Sequence, residues 1–238
     1  MNIQIFNILE YLSDTIKKQN PEQKWIIDNL ILLTPTGSQI YGTSTENSDI
    51  DIKGICVAPL NYWVGATTFQ HYLHKNEELK LDIEIIDVRK FCHFTSRVSP
   101  NIIELLFIPD EMLVKSSYCW TWLKGRAKEL LNQSAYDAYH GYGMSQIKKL
   151  MIKQSNKTGR QYITEEFGFD TKFLMHAFRL VRQGTELLKT GNISFPRPDK
   201  DDLLDIRLGR KYKSSDRDKT VEDWESQLPN AKAVGLGE

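Results

Sequence analysis

The sequence predicts an α/β protein, in which a mixed sheet with flanking helices is followed by a helical C-terminal domain. Over the first 112 residues, short apolar runs typical of strands alternate with helical spacing of apolar residues, and this alternation favours a mixed sheet. From about residue 113 onward the spacing is helical. The composition, with 40% hydrophobic and 26% charged residues, is ordinary for a soluble globular protein.

The chain has 238 residues, which is enough for one large domain or two small ones. We expect a sheet-containing domain at 1–112, a helical domain at 113–212 and a polar tail at 213–238. The formal charges of these regions differ, because residues 1–112 carry −6, residues 113–182 carry +7 and residues 183–238 carry −1. An acidic block beside a basic block is consistent with a metal site facing a polyanion site, and equally with two domains that attract each other.

Cysteine usage and hydropathy indicate the compartment. The three cysteines are widely spaced and form no Cys-x-x-Cys pair, which argues for a reducing compartment and against a disulfide framework or a zinc site. No apolar run reaches 18 residues, and the acidic Glu10 and Asp14 interrupt the N-terminal apolar residues. We therefore expect a cytoplasmic protein without a membrane partner, and the sequence leaves its oligomeric state open.

The elements of the first domain follow from local spacing. Residues 3–18 have the i, i+3, i+4, i+7 pattern of an amphipathic helix. The apolar run 25–36 is strand-like from residue 30, and Pro35 should end its regular pairing. A brief helix or turn at 39–41 and a polar loop then lead to a second strand at 49–58.

A further strand is predicted at 80–88, where Leu81, Ile83 and Ile85 face one side while Asp82 and Glu84 face the other. Short helices should follow at 88–97 and 102–107. The remaining helices are expected at 118–132, 135–154, 171–190 and 199–207, with a basic linker at 156–160 and a loosely held tail after 213 that contains Trp224.

The most informative stretch is GSQIYGTSTENSDIDIKG at 37–54. Residues i and i+2 of a strand face the same side, so Asp49 and Asp51 project together, roughly 6 to 7 Å apart along the strand. Carboxylate oxygens bind hard divalent cations, and two such ions about 3.5 to 4 Å apart steer an in-line attack on phosphorus. Such a site needs a third carboxylate, which Asp82 or Glu84 on the strand at 80–88 would supply.

Gly37 and Ser38 fit the same chemistry. Glycine allows the backbone to approach a phosphate closely, and successive backbone N–H groups with a serine hydroxyl hold phosphate oxygens. An Asp-x-Asp motif alone is typical of a solvated strand edge or turn. The full order of Gly-Ser, Tyr-Gly, a short polar loop and Ser-Asp-x-Asp is much more specific.

The stretch TGSQIYGTSTENSDIDIKGI resembles the signature of the DNA polymerase beta superfamily of nucleotidyltransferases, with Gly-Ser, then Asp-x-Asp, then a later acid on a neighbouring strand. The chain is more closely similar to the RNA-ligase-associated, RlaP-like predicted nucleotidyltransferases of phages and bacteria, over about residues 31–212. Further stretches carry this closer resemblance: DIEIIDVRKF, SPNIIELLF, AYHGYGMSQIKKL and FGFDTKFLMHAFRLVRQGTELLKTGNISFPRPDKDDLLDIRLG.

The resemblance implies a small α/β nucleotidyltransferase domain followed by helices. It implies that Gly37 and Ser38 bind a triphosphate, and we add Tyr41 of the Tyr-Gly pair as a substrate-binding residue. It also implies metal binding by three aspartates, and it makes Asp82 the first choice for the third ligand, with Glu84 as the alternative. The metal-binding set is therefore Asp49, Asp51 and Asp82, with Glu84.

The helix predicted at 171–190 has a narrow polar stripe formed by Lys172, His176, Arg179 and Gln183. Apolar residues border this stripe, and such borders fit the wall of a cleft better than an open surface. We expect Lys172, His176 and Arg179 to face the bound triphosphate or the acceptor; the alternative is an ordinary solvated face.

Two further groups of polar residues receive structural interpretations. The aromatic and basic residues between 139 and 153 suit single-stranded nucleic acid, but a helix with core aromatics and a solvated basic side is favoured. Glu104 is expected to form a buried ion pair with Arg89 or Lys90, and Arg197 is expected to be structural.

The leading functional hypothesis is a nucleotidyltransferase that uses Mg²⁺ or Mn²⁺. It would transfer a nucleoside monophosphate from a nucleoside triphosphate such as ATP to an acceptor, with release of pyrophosphate, and RNA such as tRNA is the first choice of acceptor. One alternative is an enzyme of a phage-defence or toxin–antitoxin system that adds AMP to a protein. The other is a non-catalytic nucleotide-binding protein.

Overall fold

A computed structural model describes residues 8–151, 167, 169–212 and 217–227. The chain divides into two compact units, Met1–Thr95 with Leu106–Ala127, and Ser96–Leu105 with Lys128–Glu238. This division differs from the expected break after residue 112, because a short strand after that point joins the sheet and an earlier segment belongs to the second unit.

The first unit contains a mixed five-stranded sheet, which confirms the predicted fold class. Its strands lie in the order β3-β4-β2-β1-β5, and within it β2 and β4 are parallel while the other neighbours are antiparallel. In chain order the strands are β1 (Leu30–Thr36), β2 (Ile50–Cys56), β3 (His71–Asn76), β4 (Leu81–Asp87) and β5 (Lys115–Ser116).

The α-helices also have definite bounds within the described residues. They are α1 (Ile8–Gln19), α2 (Trp25–Asp28), α3 (Ser38–Tyr41), α4 (Asn61–Val64), α5 (Val88–Thr95), α6 (Pro100–Ile103), α7 (Tyr118–Lys124), α8 (Ser134–Met151), α9 (Thr171–Thr190), α10 (Lys200–Arg207) and α11 (Arg217–Ser226). Short 3₁₀ turns lie at Pro21–Gln23, Glu104–Phe107, Asp110–Met112 and Ala127–Leu130.

One face of the sheet packs on α1 and forms the core of the first unit. Ile52, Ile83 and Ile85 are fully or almost fully buried there, with Leu12 and Ile16 of α1 in the same apolar cluster. The predicted alternation along β4 is confirmed, because Leu81, Ile83 and Ile85 are buried while Asp82 is exposed and Glu84 is half-buried. The acids therefore point away from this core.

Pro35 does not end the pairing of β1, contrary to the expectation. It lies opposite Ile52 inside the β1–β2 ladder. The partner strand on the other side, β5, pairs only with Leu32 and Leu33. By Pro35 the strand has one neighbour in the ladder, and proline is tolerated where a backbone N–H has no strand to pair with.

Several expected helices are shorter or interrupted. The helix expected at 118–132 ends at Lys124, where the Gly125 N–H donates to the Thr121 carbonyl, and a 3₁₀ turn follows. The one expected at 102–107 is α6 followed by a 3₁₀ turn. The expected starting residues before 8, the end of the helix at 135–154 and the basic linker at 156–160 lie outside the described residues.

The second unit is built around α8 and α9. A Cβ added to Gly184 on α9 would lie 2.8 Å from the Tyr139 side chain on α8, so the absence of a side chain lets these helices approach closely. Phe178, Leu174 and Leu203 are almost completely buried in the same apolar core.

The prediction of a loose tail is wrong at α11. Trp224 is fully buried, and its indole N–H donates to the Ala177 carbonyl over 2.9 Å. A side chain of this size contributes enough buried apolar area to dock the helix that carries it. Across the described part of the chain, no helix is both long enough and apolar enough to cross a membrane.

Candidate active site

One row of residues crosses four strands of the sheet. Asp51 lies opposite Thr36 on β1 and opposite Asp82 on the parallel strand β4. Asp82 in turn lies opposite Lys75 on β3. Neighbouring strands are about 4.8 Å apart and directly opposed residues share a face, so the two aspartates stand side by side. We call Thr36, Asp51, Asp82 and Lys75 the carboxylate row.

Asp49 lies one residue before β2 and is exposed. The pKa of Lys75 is raised, first by its hydrogen bond and charge interaction with Glu77 and further by the charges of Asp82 and Asp49. Lys75 therefore interacts electrostatically with both aspartates, so Asp49 lies close enough to the carboxylate row for its charge to act on it.

Gly37 lies directly against Asp51. Its φ is +62°, and a Cβ added there would lie 2.4 Å from Asp51 Oδ2. Only glycine meets both conditions, because other residues rarely adopt this backbone conformation and the added carbon would collide with the carboxylate. The Gly-Ser turn and the aspartate therefore form one tightly packed corner, as the sequence motif predicts.

The loop between Gly37 and β2 is held by its own hydrogen bonds. The Thr43 N–H donates to the Ser38 carbonyl over 3.0 Å, and the Thr45 N–H donates to Ser48 Oγ over 2.8 Å. Ser38 is half-buried at the first residue of α3. Tyr41 is only 3% exposed, so its ring packs inside the unit, which corrects the expectation that it contacts substrate.

Glu84 is the less suitable of the two candidates for the third acid. It lies opposite Lys53 rather than Asp51, and it forms ion pairs with Lys53 Nζ at 3.2 Å and Lys90 Nζ at 3.7 Å. A carboxylate between two ammonium groups is already neutralised. Asp82, which is exposed beside Asp51, fits the role better.

The carboxylate row supplies the oxygen donors that Mg²⁺ and Mn²⁺ prefer. Among the residues that the structure describes, no three Asp, Glu, His or Cys side chains are gathered closely enough to hold an ion by themselves. The residues fit an ion that also takes ligands from a bound triphosphate.

The polar stripe of α9 is partly buried. Arg179 is 3% exposed, and its Nη1 lies 3.5 Å from Glu104 Oε2 and donates to Gln183 Oε1. Gln183 Nε2 also donates to Glu104 Oε2 over 3.0 Å. The expectation that Arg179 faces a triphosphate is therefore wrong, because a guanidinium buried in this network is committed to holding the second unit together.

The same network corrects the expected partner of Glu104. The ion pair is buried as predicted, but it forms with Arg179 and not with Arg89 or Lys90. Tyr139 also joins the network through Gln183, and the pKa of its hydroxyl is raised by burial and then by the charge of Glu104.

Lys172 and His176 are half-buried on α9, and their contact with a phosphate stays a prediction. Arg197, in contrast, is 3% exposed and paired with Glu186 and Asp199. This pairing confirms its structural role. The three cysteines are free.

Sequence reasoning missed Lys75 and Thr36, the two ends of the carboxylate row. The strand that carries Lys75 has the sequence HYLHKN, and its polar residues gave little strand signal. The usable clue is its position just before the Asp82 strand, where a short antiparallel partner is a common arrangement.

The structure combines a mixed sheet with two aspartates side by side next to a glycine turn, and the protein is a nucleotidyltransferase-type enzyme. A family model described as "RNA repair pathway DNA polymerase beta family" matches residues 7–220. The chain therefore belongs to this family, and the family resemblance found in the sequence is confirmed.

The individual proteins that resemble this chain have low sequence identity to it. An uncharacterized 38.9 kDa protein in the nrdC-mobD intergenic region of Enterobacteria phage T4 is 27% identical over 128 residues, which cover 50% of this chain and 38% of that protein. The chain thus aligns with well under half of that relative's length.

Two solved structures are also similar. One is a nucleotidyltransferase-like protein from Exiguobacterium sibiricum 255-15, with 10% identity, a TM-score of 0.35 and coverage of 91% of this chain and 74% of that one. The other is the spectinomycin adenyltransferase AAD(9) from Enterococcus faecialis, solved with ATP and spectinomycin. It has 14% identity, a TM-score of 0.41 and coverage of 92% and 90%.

Proposed function

We propose that this enzyme transfers a nucleoside monophosphate from a nucleoside triphosphate to RNA and releases pyrophosphate. The observation that carries the proposal is the register of the sheet, in which Asp51 and Asp82 stand side by side on parallel strands while Gly37 packs against Asp51. This corner offers carboxylates for a cation directly beside the Gly-Ser turn that would bind a phosphate.

Asp51 and Asp82 would hold Mg²⁺ or Mn²⁺, and Asp49 would complete the set from the loop. Such a cation supplies charge neutralisation at the phosphates and lowers the pKa of an attacking hydroxyl when it is bound. These three aspartates are accessible to a ligand, because Asp49 and Asp82 are exposed and Asp51 is half-buried.

Gly37 and Ser38 would hold the triphosphate. Because Gly37 has no side chain, Asp51 can lie directly against it. The Ser38 N–H and hydroxyl, next in the chain, can donate to phosphate oxygens beside this corner. These donors would orient the α-phosphate towards the carboxylate row, which is the positioning that phosphoryl and nucleotidyl transfer require.

The choice of RNA as acceptor rests on the description of the family, which places it in RNA repair. The phage relative supports a setting of this kind in viral infection. The identity of the base and of the RNA end are part of the proposal to be tested, and ATP and the end of a tRNA are the first choices.

The test is incubation of the purified chain with each α-labelled nucleoside triphosphate, Mg²⁺ or Mn²⁺, and total tRNA, with a parallel arm that contains mixed proteins. We expect label in the RNA. Asp51→Asn should abolish labelling, whereas Asp14→Asn, at an exposed aspartate of α1 in the same unit, should preserve it.

Two outcomes would contradict the proposal. Label in the protein arm alone would identify a protein-modifying enzyme instead. Absence of label in both arms, together with triphosphate binding that does not respond to Mg²⁺ or to Asp51→Asn, would indicate a non-catalytic nucleotide-binding protein.

A further inference from the structure

A second polar site lies in the first unit at the far end of β4 from the carboxylate row. It is a cavity of about 420 Å³ lined by Phe69, Gln70, Arg89, Lys90, His93 and Phe94, among others. The strand runs from Asp82 to Asp87 over five residues, or about 17 Å at the usual rise per residue. The part of the cavity at Asp87 is therefore separate from the place proposed for the reacting phosphates, whereas Lys90 Nζ reaches back to within 3.7 Å of Glu84 Oε1.

Arg89 forms a fixed wall of this cavity. Its Nε donates to the buried carboxylate of Asp87 over 2.6 Å, and its two terminal nitrogens donate to the carbonyls of Tyr62 and Phe69. Its guanidinium also lies 4.6 Å from the ring centre of Trp63, which is 45% exposed. A planar cation held in this way against an indole offers a rigid surface with little entropy to lose on binding.

Two further basic residues of the cavity are Lys90 and His93. They lie three residues apart and so face the same side of α5. Lys90 Nζ is 3.2 Å from His71 Nδ1 and 3.7 Å from Glu84 Oε1. Glu84 is shared with Lys53, so one negative charge faces two positive ones. The α5 sequence VRKFCHFT contains no acid. Asp87 also lines the cavity, but its carboxylate is paired with Arg89, so Lys53 and Lys90 against Glu84 leave this corner cationic.

Phe94 adds aromatic surface to the cationic corner, whereas Phe69, which also lines the cavity, is only 5% exposed. Phe94 is half-buried, and its ring lies edge-on to that of His93 with a centroid distance of 5.5 Å. A ligand that satisfies both the rings and the basic groups is planar and apolar at one end and anionic at the other. A nucleotide unit has this chemistry.

We propose that the cavity binds a nucleotide of a single-stranded RNA, with the phosphate at Lys90 and His93 and the base against Phe94 and the Arg89 wall. The inference rests on RNA being the acceptor of the proposed function, and it adds an anchoring site away from the reacting end. An RNA strand held both at the carboxylate row and in this cavity gains affinity from two contacts that neither site has alone.

The test is binding of a fluorescently labelled single-stranded RNA of ten nucleotides at several salt concentrations. The variant is Lys90→Gln with His93→Gln, which changes a half-buried and an exposed side chain and leaves Arg89 in place. We expect its Kd to rise about tenfold and the slope of log affinity against log salt to fall by about one. The matched control is Lys17→Gln, an exposed lysine of the same unit, which should leave both unchanged.

Crosslinking gives an independent measurement. RNA that carries 4-thiouridine should crosslink to a peptide that contains Phe69 or Phe94, and the crosslink should be lost with Phe94→Leu. An unchanged Kd in the Lys90→Gln, His93→Gln protein, crosslinks confined to other peptides, or equally tight binding of uridine monophosphate and the RNA would each overturn the inference.

The two proposals fail separately. If RNA is labelled at the normal rate and with the normal KM by the Lys90→Gln, His93→Gln protein, the transferase stands and the anchoring site is wrong. If RNA binds through the cavity but no acceptor is labelled, the site stands and the proposed reaction is wrong. Thermal unfolding of each variant should stay within about 2 °C of the parent, because neither side chain is in the core.

Discussion

Two clusters of charged residues, one in each unit, differ in whether their acidic side chains lie beside another acid or beside a base. In the first unit, Asp51 and Asp82 stand side by side on neighbouring strands, and Asp82 is exposed. In the second, Glu104 and Arg179 are almost fully buried and bonded to each other and to Gln183. Paired like charges are unfavourable without a ligand, whereas a buried pair of opposite charges is satisfied without one.

The difference separates ligand binding from structure. A carboxylate beside another carboxylate gains free energy when a cation arrives. A buried ion pair gains nothing from a ligand, and its loss leaves an uncompensated charge in the interior. We therefore expect substitutions in the first cluster to affect activity and substitutions in the second to affect stability.

The largest effect is expected for Asp51→Asn. Loss of a cation ligand that acts on the transition state should lower the rate of nucleotidyl transfer about a thousandfold, equivalent to about 4 kcal/mol. The melting temperature should change little, because Asp51 is only half-buried. Rates with labelled triphosphate and calorimetry check both expectations, and a rate within tenfold of the parent would remove Asp51 from the site.

Glu104→Ala should reduce the free energy of unfolding by about 3 kcal/mol, because Arg179 would be left buried without its carboxylate. Urea unfolding measures this loss. Replacing both residues, with Glu104→Ala and Arg179→Met, should recover much of it. A loss below about 1 kcal/mol for the single variant would mean that the ion pair is not a structural element.

Gly37→Ala should combine both kinds of effect. The positive φ should cost about 1 to 2 kcal/mol of stability, and displacement of Asp51 by the new methyl group should lower the transfer rate about thirtyfold, within the range for a misplaced catalytic group. Gly191→Ala is the matched control, with φ +66° and only ordinary contacts to Lys128. It should lose stability and keep its activity; equal rates for the two variants would contradict the proposed role of Gly37.

The comparison of Asp82→Asn with Glu84→Gln decides the third ligand. Asp82→Asn should resemble Asp51→Asn, whereas Glu84→Gln should change the transfer rate less than about fivefold, since partly exposed ion pairs contribute less than about 1 kcal/mol. Titration of Mn²⁺ into each variant gives a second readout. A larger loss of Mn²⁺ affinity for Glu84→Gln than for Asp82→Asn would reverse the assignment.

The smallest effect is expected at Lys75. Its ammonium group interacts with Asp82 and Asp49, so it competes with a divalent cation for these charges. Lys75→Ala should strengthen Mn²⁺ binding about twofold at low salt, and the effect should disappear at high salt because the group is exposed. Calorimetric titration measures this, with Lys17→Ala as control; weaker Mn²⁺ binding by Lys75→Ala would show that the lysine assists the cation.

Much of the candidate site was predictable from local sequence. The motif consists of a glycine before a serine and two aspartates at i and i+2 on an apolar strand. It can be recognised within a few residues, because strand alternation alone determines which side chains share a face. The choice between Asp82 and Glu84 could not be made in this way from alternation. Both face the same side of β4, and only the register with β2 places Asp82 beside Asp51 and Glu84 beside Lys53.

The α9 stripe shows the limit of local reasoning most clearly. A helical wheel correctly separates its polar and apolar residues, but it carries no information about what faces the polar side. Arg179 lies on that side and is buried, since Glu104, which is distant in sequence, supplies its counter-charge. Trp224 is a similar case, because a lone tryptophan in a polar stretch gives no sign of the core into which it packs.

The sequence by itself determined the α/β class, the family and the corner formed by Gly37 and Asp51, since these depend on short-range spacing and residue chemistry. The tertiary structure alone decided which strands are neighbours, which acid completes the carboxylate row and which charges are buried as partners. These features depend on contacts between residues that are far apart along the chain. The free energy of such a contact depends on both segments, so neither segment predicts it alone.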